Sequence, residues 1–178
     1  MKWVAIVLAV LIGLPALMAL VGAFLPRDHV AGVSIVVRQP VEAVWAVVRD
    51  IGAMPQWWPG LRSSERVTEP DGRERWKQLS GSGAMTIAIE ADEPPRRLVT
   101  RIESPPGAPF GGSWIYEIVP VPDGSRVTLT ERGWIANRVF RFLARFVFGY
   151  YRTLESCLRA LGKRFGETVE PVRTAGGA

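Results

Sequence analysis

The sequence has one cysteine and one histidine among its 178 residues. A lone cysteine excludes an internal disulfide framework, and the two together exclude Cys/His-rich metal centres. Gly81-Ser82-Gly83 lacks the Lys-Ser/Thr of a phosphate-binding loop. No serine, histidine and acid stand in an arrangement that marks a nucleophilic triad. The aromatic residues fall at expected interior positions rather than among exposed basic ones, which argues against nucleic acid. We therefore expect no metal, no cofactor and no nucleic acid. Cys157 falls on an apolar helix face and reads as a buried, unreactive thiol. His29 lies just after an apolar run that ends at Leu25 and reads as a linker residue.

Charge is also missing from the amino-terminal stretch. Lys2 is the only charged side chain in residues 1–26, and Trp3 to Leu25 carries none. As a helix that run measures about 34 Å, enough to cross a bilayer core. Pro15 would kink it, which membrane helices tolerate. The competing reading is a cleaved signal peptide with Val21-Gly22-Ala23 at the cleavage site. We expect residues 1–26 to be a single-pass anchor. Lys2 and the amino terminus place the soluble domain on the outer (periplasmic or extracellular) side. The remainder is mildly basic, which suits an anionic membrane surface.

After the anchor the grammar is plain. Val33 to Arg38 is short and β-branched, so it reads as a strand. Pro40 suits the first turn of a helix carrying Val41, Val44, Trp45 and Val48 on one side. Ala53 to Trp58 gives another short helical turn. From Leu61 the chain alternates strands and turns: 61–68, 73–79, 84–91, 96–103, 113–119 and 126–135. Pro70-Asp71-Gly72 and Pro122-Asp123-Gly124 are the strongest hairpin signals. Asn137 to Phe165 then reads as one long amphipathic helix. Val139, Leu143, Phe146, Tyr150, Leu154, Cys157 and Leu161 share one face; Arg138, Arg141, Arg145, Arg152, Arg159 and Lys163 share the other. Residues 167–178 read as a disordered tail.

This order resembles the START/Bet v 1-like superfamily (SRPBCC), in its polyketide cyclase/dehydrase-like branch. The resemblance is carried by Val41-Glu42-Ala43-Val44-Trp45, by Trp57-Trp58-Pro59-Gly60, by Asp123 to Glu131 in the closing hairpin, and by the final amphipathic helix. It covers about residues 31–166, and we take 27–166 as the domain. It implies an α+β helix-grip fold, with a curved antiparallel sheet of about six to seven strands wrapped around a long C-terminal helix and a cavity between them. It does not imply one activity, since members bind lipids, sterols, quinones or polyketides and some catalyse cyclisation or dehydration.

Strand alternation sorts the side chains that face such a cavity. Trp114, Tyr116 and Ile118 share a face, as do Val127, Leu129 and Glu131, then Met85, Ile87 and Ile89, then Trp76 and Gln78. With Trp57 and Trp58 at the mouth, the expected ligand-binding set is Trp57, Trp58, Trp76, Met85, Ile87, Trp114, Tyr116, Leu129 and Glu131. Glu131 is the one candidate for catalysis, since in an apolar interior its charge must be paired or given up. Arg101 or Arg132 would be its ordinary ion-pair partner. Arg138, Arg141, Arg145, Arg152 and Arg159 form an expected membrane or partner surface. The favoured function is a membrane-anchored binding or carrier domain for a hydrophobic small molecule or lipid. The alternative is a polyketide cyclase/dehydratase-like enzyme using Glu131 with Tyr116 or Arg101.

Overall fold

A computed structural model of the chain describes residues 2–68, 72–81 and 83–174. It begins with helix α1 (Lys2–Phe24), followed by strand β1 (Asp28–Val37) and helix α2 (Val41–Arg49). A 3-10 turn at Ile51–Ala53 leads into the short α3 (Met54–Trp57). A six-stranded meander follows: β2 (Leu61–Val67), β3 (Arg75–Ser80), β4 (Gly83–Glu93), β5 (Arg97–Ile102), β6 (Phe110–Val121) and β7 (Gly124–Ile135). The chain closes with α4 (Arg138–Leu143), a π-helical turn (Ala144–Phe148), α5 (Arg152–Arg164) and β8 (Val172–Thr174).

All eight strands form one antiparallel sheet in the order β2-β3-β4-β5-β6-β7-β1-β8. The eighth strand exceeds the expected six to seven and comes from the tail. Glu167 accepts from the Arg38 backbone N–H at 3.0 Å and turns the chain back to pair Val172–Thr174 with β1. The tail read as disordered is thus part of the sheet as far as Thr174. Residues 175–178, like positions 69–71 of the expected Pro70-Asp71-Gly72 turn and position 82, lie outside the described residues.

The N-terminal expectation of a membrane anchor gains no support. α1 forms over the 23 residues Lys2–Phe24, with Pro15 inside it. Among the described residues no helix is long and apolar enough to cross a membrane. The end of α1 packs on α4. A Cβ on Gly22 would meet the Arg138 backbone, and Arg141 donates to the Leu25 carbonyl at 2.8 Å. Leu11, Ile12, Leu14, Leu17, Leu20 and Phe24 remain exposed.

The final helix is two pieces rather than one. Asn137 caps α4 by accepting from the Phe140 N–H at 2.9 Å. The ladder then widens to the Gly149 N–H donating to the Ala144 carbonyl, and Gly149 stops it at φ +73°. A left-handed residue after a helix is where glycine is favoured. Aromatic and β-branched residues from Phe146 to Val147 supply little helix propensity to resist the break. After it, α5 buries Leu154, Cys157, Leu158 and Leu161, the i, i+3, i+4, i+7 stripe, against β1 and β7. Phe146, placed by periodicity on that stripe, is instead exposed.

α2 is tied to the sheet from its last turn. Arg49 makes a two-pronged contact with Glu74, at 3.0 and 2.7 Å, and donates to Asp92 at 2.8 Å. The Arg49 hydrogen bond holds the Glu74 carboxyl below its ordinary value of 4.5, with desolvation opposing and the Trp76 indole N–H assisting. A depressed carboxylate stabilises the fold above its unfolded pKa and loses that contribution as pH falls through its folded value. We expect Glu74→Gln to cost about 1 kcal/mol at neutral pH, discounted for solvent screening. In urea titrations the gap to the parent should stay constant above the ordinary carboxylate range and close as pH drops below 4.5.

Candidate active site

The sheet is concave, and the two halves of its inner face meet different neighbours. Toward one end, Ile118, Val127, Leu129, Leu154, Leu158 and Leu161 are fully buried and pack solid. Toward the other, where α5 has given way to the break at Gly149, a cavity of about 810 Å³ opens. Its walls include Trp58, Met85, Ile87, Trp114, Tyr116 and Glu131. Six of the nine residues expected to bind ligand therefore share one hollow.

The other three do not line it. Leu129 is fully buried in the solid half. Trp57 is half-buried outside the cavity, with its indole nitrogen enclosed and unpartnered. Trp76 lies against Gly52, and its Nε1–H donates to Glu74 at 2.9 Å. It seals the sheet under the 3-10 turn. Of the Trp pair, Trp58 is the cavity residue, 5.5 Å from Trp114 between ring centres and with Nε1 donating to Ser156 at 3.4 Å.

Glu131 sits on the cavity wall with both oxygens engaged. Oε1 is 3.0 Å from His29 Nε2, and Oε2 accepts from the Trp114 indole N–H at 3.0 Å. Register explains the cluster. Trp114 stands directly across from Glu131 on β6, and His29 stands across from Gly133 on β1. Glu131 and Gly133 are two apart on β7, so they share a face. A Cβ at Gly133 would lie 2.6 Å from the His29 ring. The missing side chain leaves the imidazole room to lie across β7 and reach the carboxylate. Tyr150 stacks on the other side of His29, with ring centres 4.3 Å apart and planes 19° apart. His29 Nδ1 is buried without a partner.

His29 is the residue that sequence reasoning misplaced. It is a strand residue in the site, not a linker. Periodicity could have found it only if β1 had been started five residues earlier, at Asp28. The partners expected for Glu131 also change. Arg101 is exposed and pairs with Glu90 at 3.1 Å, and Arg132 faces outward. A carboxylate between a histidine and an indole N–H keeps its charge compensated in an apolar wall. Its remaining lone pairs can take a proton from a bound molecule. Gln78 and Thr100, both buried, add polar points to the lining.

Residues 29–166 match the family model described as polyketide cyclase / dehydrase and lipid transport. The chain belongs to that family. No curated protein matches this family member in sequence. Among solved structures it is similar to the Zhui aromatase/cyclase from Streptomyces sp. R1128, with a TM-score of 0.61 at 16% identity over 77% of this chain and 93% of that one. It is also similar to the di-domain aromatase/cyclase StfQ of the steffimycin biosynthetic pathway, with a TM-score of 0.59 at 13% identity over 79% of this chain. There it spans 52% of the other chain. A START superfamily protein from Mycobacterium smegmatis gives a TM-score of 0.58 at 20% identity over 78% and 97%. At these identities the likeness is one of fold.

The remaining reactive side chain of this polyketide cyclase/dehydrase family member is closed off. Cys157 is fully buried, and burial pushes its thiol up to about 12. Tyr116, 3.6 Å away, is pushed well above the ordinary phenol value by its own burial. A thiol with so little thiolate at neutral pH reacts slowly. Ellman's reagent should give no fast phase with the native protein and one full equivalent after denaturation; a fast native reaction would contradict the burial.

Proposed function

We propose that this chain is an acid–base enzyme acting on a largely apolar, carbonyl-bearing molecule, in the manner of a polyketide cyclase or dehydratase. One observation carries the reading: a carboxylate held at both oxygens by His29 and Trp114 on the wall of a largely apolar cavity of about 810 Å³. Setting a carboxylate into a largely apolar wall costs free energy, and a carrier for apolar molecules gains nothing from it. General acid–base chemistry requires such a titratable group. The aromatase/cyclase neighbours favour the same reading over a lipid carrier.

In this reading Glu131 takes a proton from the carbon next to a carbonyl of the substrate. That carbon bonds to a second carbonyl carbon of the substrate chain, and Glu131 returns the proton to its oxygen, giving a hydroxyl; a second round takes the remaining proton from the same carbon and delivers it to the departing hydroxyl, so that water leaves and a double bond forms. His29 positions the carboxylate through the contact between Nε2 and Oε1. Trp58, Met85 and Ile87 exclude water and hold the carbon skeleton. The second reading, a binding or carrier protein, rests on the apolar remainder of the cavity and needs no turnover.

We also place α1 at a bilayer. The support is the row of exposed Leu11, Ile12, Leu14, Leu17, Leu20 and Phe24 side chains and the absence of charge from Trp3 to Leu25.

The test uses the full chain and a synthetic poly-β-ketothioester, with loss of water followed by mass spectrometry and binding followed by tryptophan fluorescence. Glu131→Gln should lower turnover about 10²-fold or more, the usual scale of a general acid–base group, while binding persists. Gly133→Ala should lower it less, by displacing His29 from the intact carboxylate. Binding without turnover in the parent, or equal turnover in Glu131→Gln, would leave the carrier reading in place of the enzyme.

A further inference from the structure

The break in the final helix creates a surface as well as a cavity. Phe146 and Val147 are more than half exposed, and Phe148 nearly so, on the π-helical turn. Such a cluster at the surface of a folded chain marks a contact site. Beside it lies a second, smaller cleft of about 320 Å³, whose walls include Arg145, Arg152 and Arg173. Arg173 is held by Glu155 at 3.0 Å and lies 4.4 Å over the Tyr151 ring. Among the described residues, Arg145 and Arg152 have no carboxylate within ion-pair distance. The arrangement is therefore an apolar tip next to concentrated positive charge.

This cleft shares Phe148, Gly149, Tyr150 and Arg152 with the large cavity. Phe148, Gly149 and Arg152 are all exposed, so this shared wall is also part of the cavity's mouth. The end of α1 abuts α4, the element immediately before the turn, and Leu20 and Phe24 of α1 are exposed.

We propose that the Ala144–Phe148 turn and the Arg145/Arg152/Arg173 cleft dock on an anionic phospholipid surface, so that the cavity mouth opens onto the bilayer. Phe146, Val147 and Phe148 dip into the acyl–headgroup boundary, as aromatic and aliphatic side chains do at that depth. The arginines hold lipid phosphates, for which guanidinium geometry is suited. An apolar molecule dissolved in the membrane then reaches the cavity without crossing water. This differs from the surface read from helical periodicity. Arg141 donates to the Leu25 carbonyl and Arg159 pairs with Glu155 and Glu170, and neither lines the cleft, while Arg173 from β8, itself paired with Glu155, does. The docking stands whether or not Glu131 is catalytic.

The test places an environment-sensitive fluorophore at the exposed tip through Val147→Cys in the full chain, with Cys157→Ala removing the native thiol. The labelled protein is reconstituted into nanodiscs of phosphatidylcholine, alone or mixed with phosphatidylglycerol. A blue shift with phosphatidylglycerol, reversed by high salt, is expected. Arg145→Gln with Arg152→Gln should reduce the docked-to-free ratio about thirtyfold, at roughly 1 kcal/mol per arginine near an anionic surface. Equal emission in the two lipids, or a shift indifferent to both arginines, would overturn the proposal. Reversal by millimolar inorganic phosphate at constant ionic strength would assign the cleft to free phosphate. A shift induced by polyglutamate without lipid would assign it to an acidic protein surface. Either result would also overturn the membrane assignment.

Discussion

A curved eight-stranded sheet has one apolar inner face, and α5 is long enough to cover only part of it. That mismatch governs the molecule. Where the Leu154, Leu158 and Leu161 stripe meets β1 and β7, side chains interlock and nothing is left over. Where Gly149 turns the chain out of the helix, the sheet loses its cover and about 810 Å³ remains. Both the hollow and its mouth follow from a single positive-φ residue placed twelve positions into a stretch with helical periodicity.

The hollow acquires chemistry through register. β6 and β1 flank β7, and each delivers one hydrogen-bonding partner to the same carboxylate. Gly133 contributes by having no side chain, which lets His29 lie over the strand. A buried carboxylate without partners would be expelled or neutralised; with two it remains a stable feature of an apolar wall. Tyr150, the residue directly after Gly149, stacks on His29. The segment that uncovers the cavity therefore also supports the cluster inside it.

Much of this was legible beforehand. The meander was readable because each turn carries proline, glycine or aspartate between β-branched runs, and alternation put Met85, Ile87, Trp114, Tyr116 and Glu131 on inward faces. Other features were not. His29 was missed because the apolar run ahead of it masks where β1 starts. Trp57, Trp76 and Leu129 were assigned to the cavity because alternation gives a face but not a position along it. The basic helical face was over-read because Arg141 and Arg159 are consumed by neighbours distant in sequence or across a turn.

By itself the sequence determined the element order from β1 to β7, the sheet's inner and outer faces and the α+β class, because those depend on local periodicity and turn chemistry that each short segment carries alone. Only the tertiary structure decided which part of the inner face stays empty, which groups meet at Glu131, and that the tail adds an eighth strand. These depend on how far one element reaches across another and on pairing between residues about a hundred positions apart, and no local pattern encodes either.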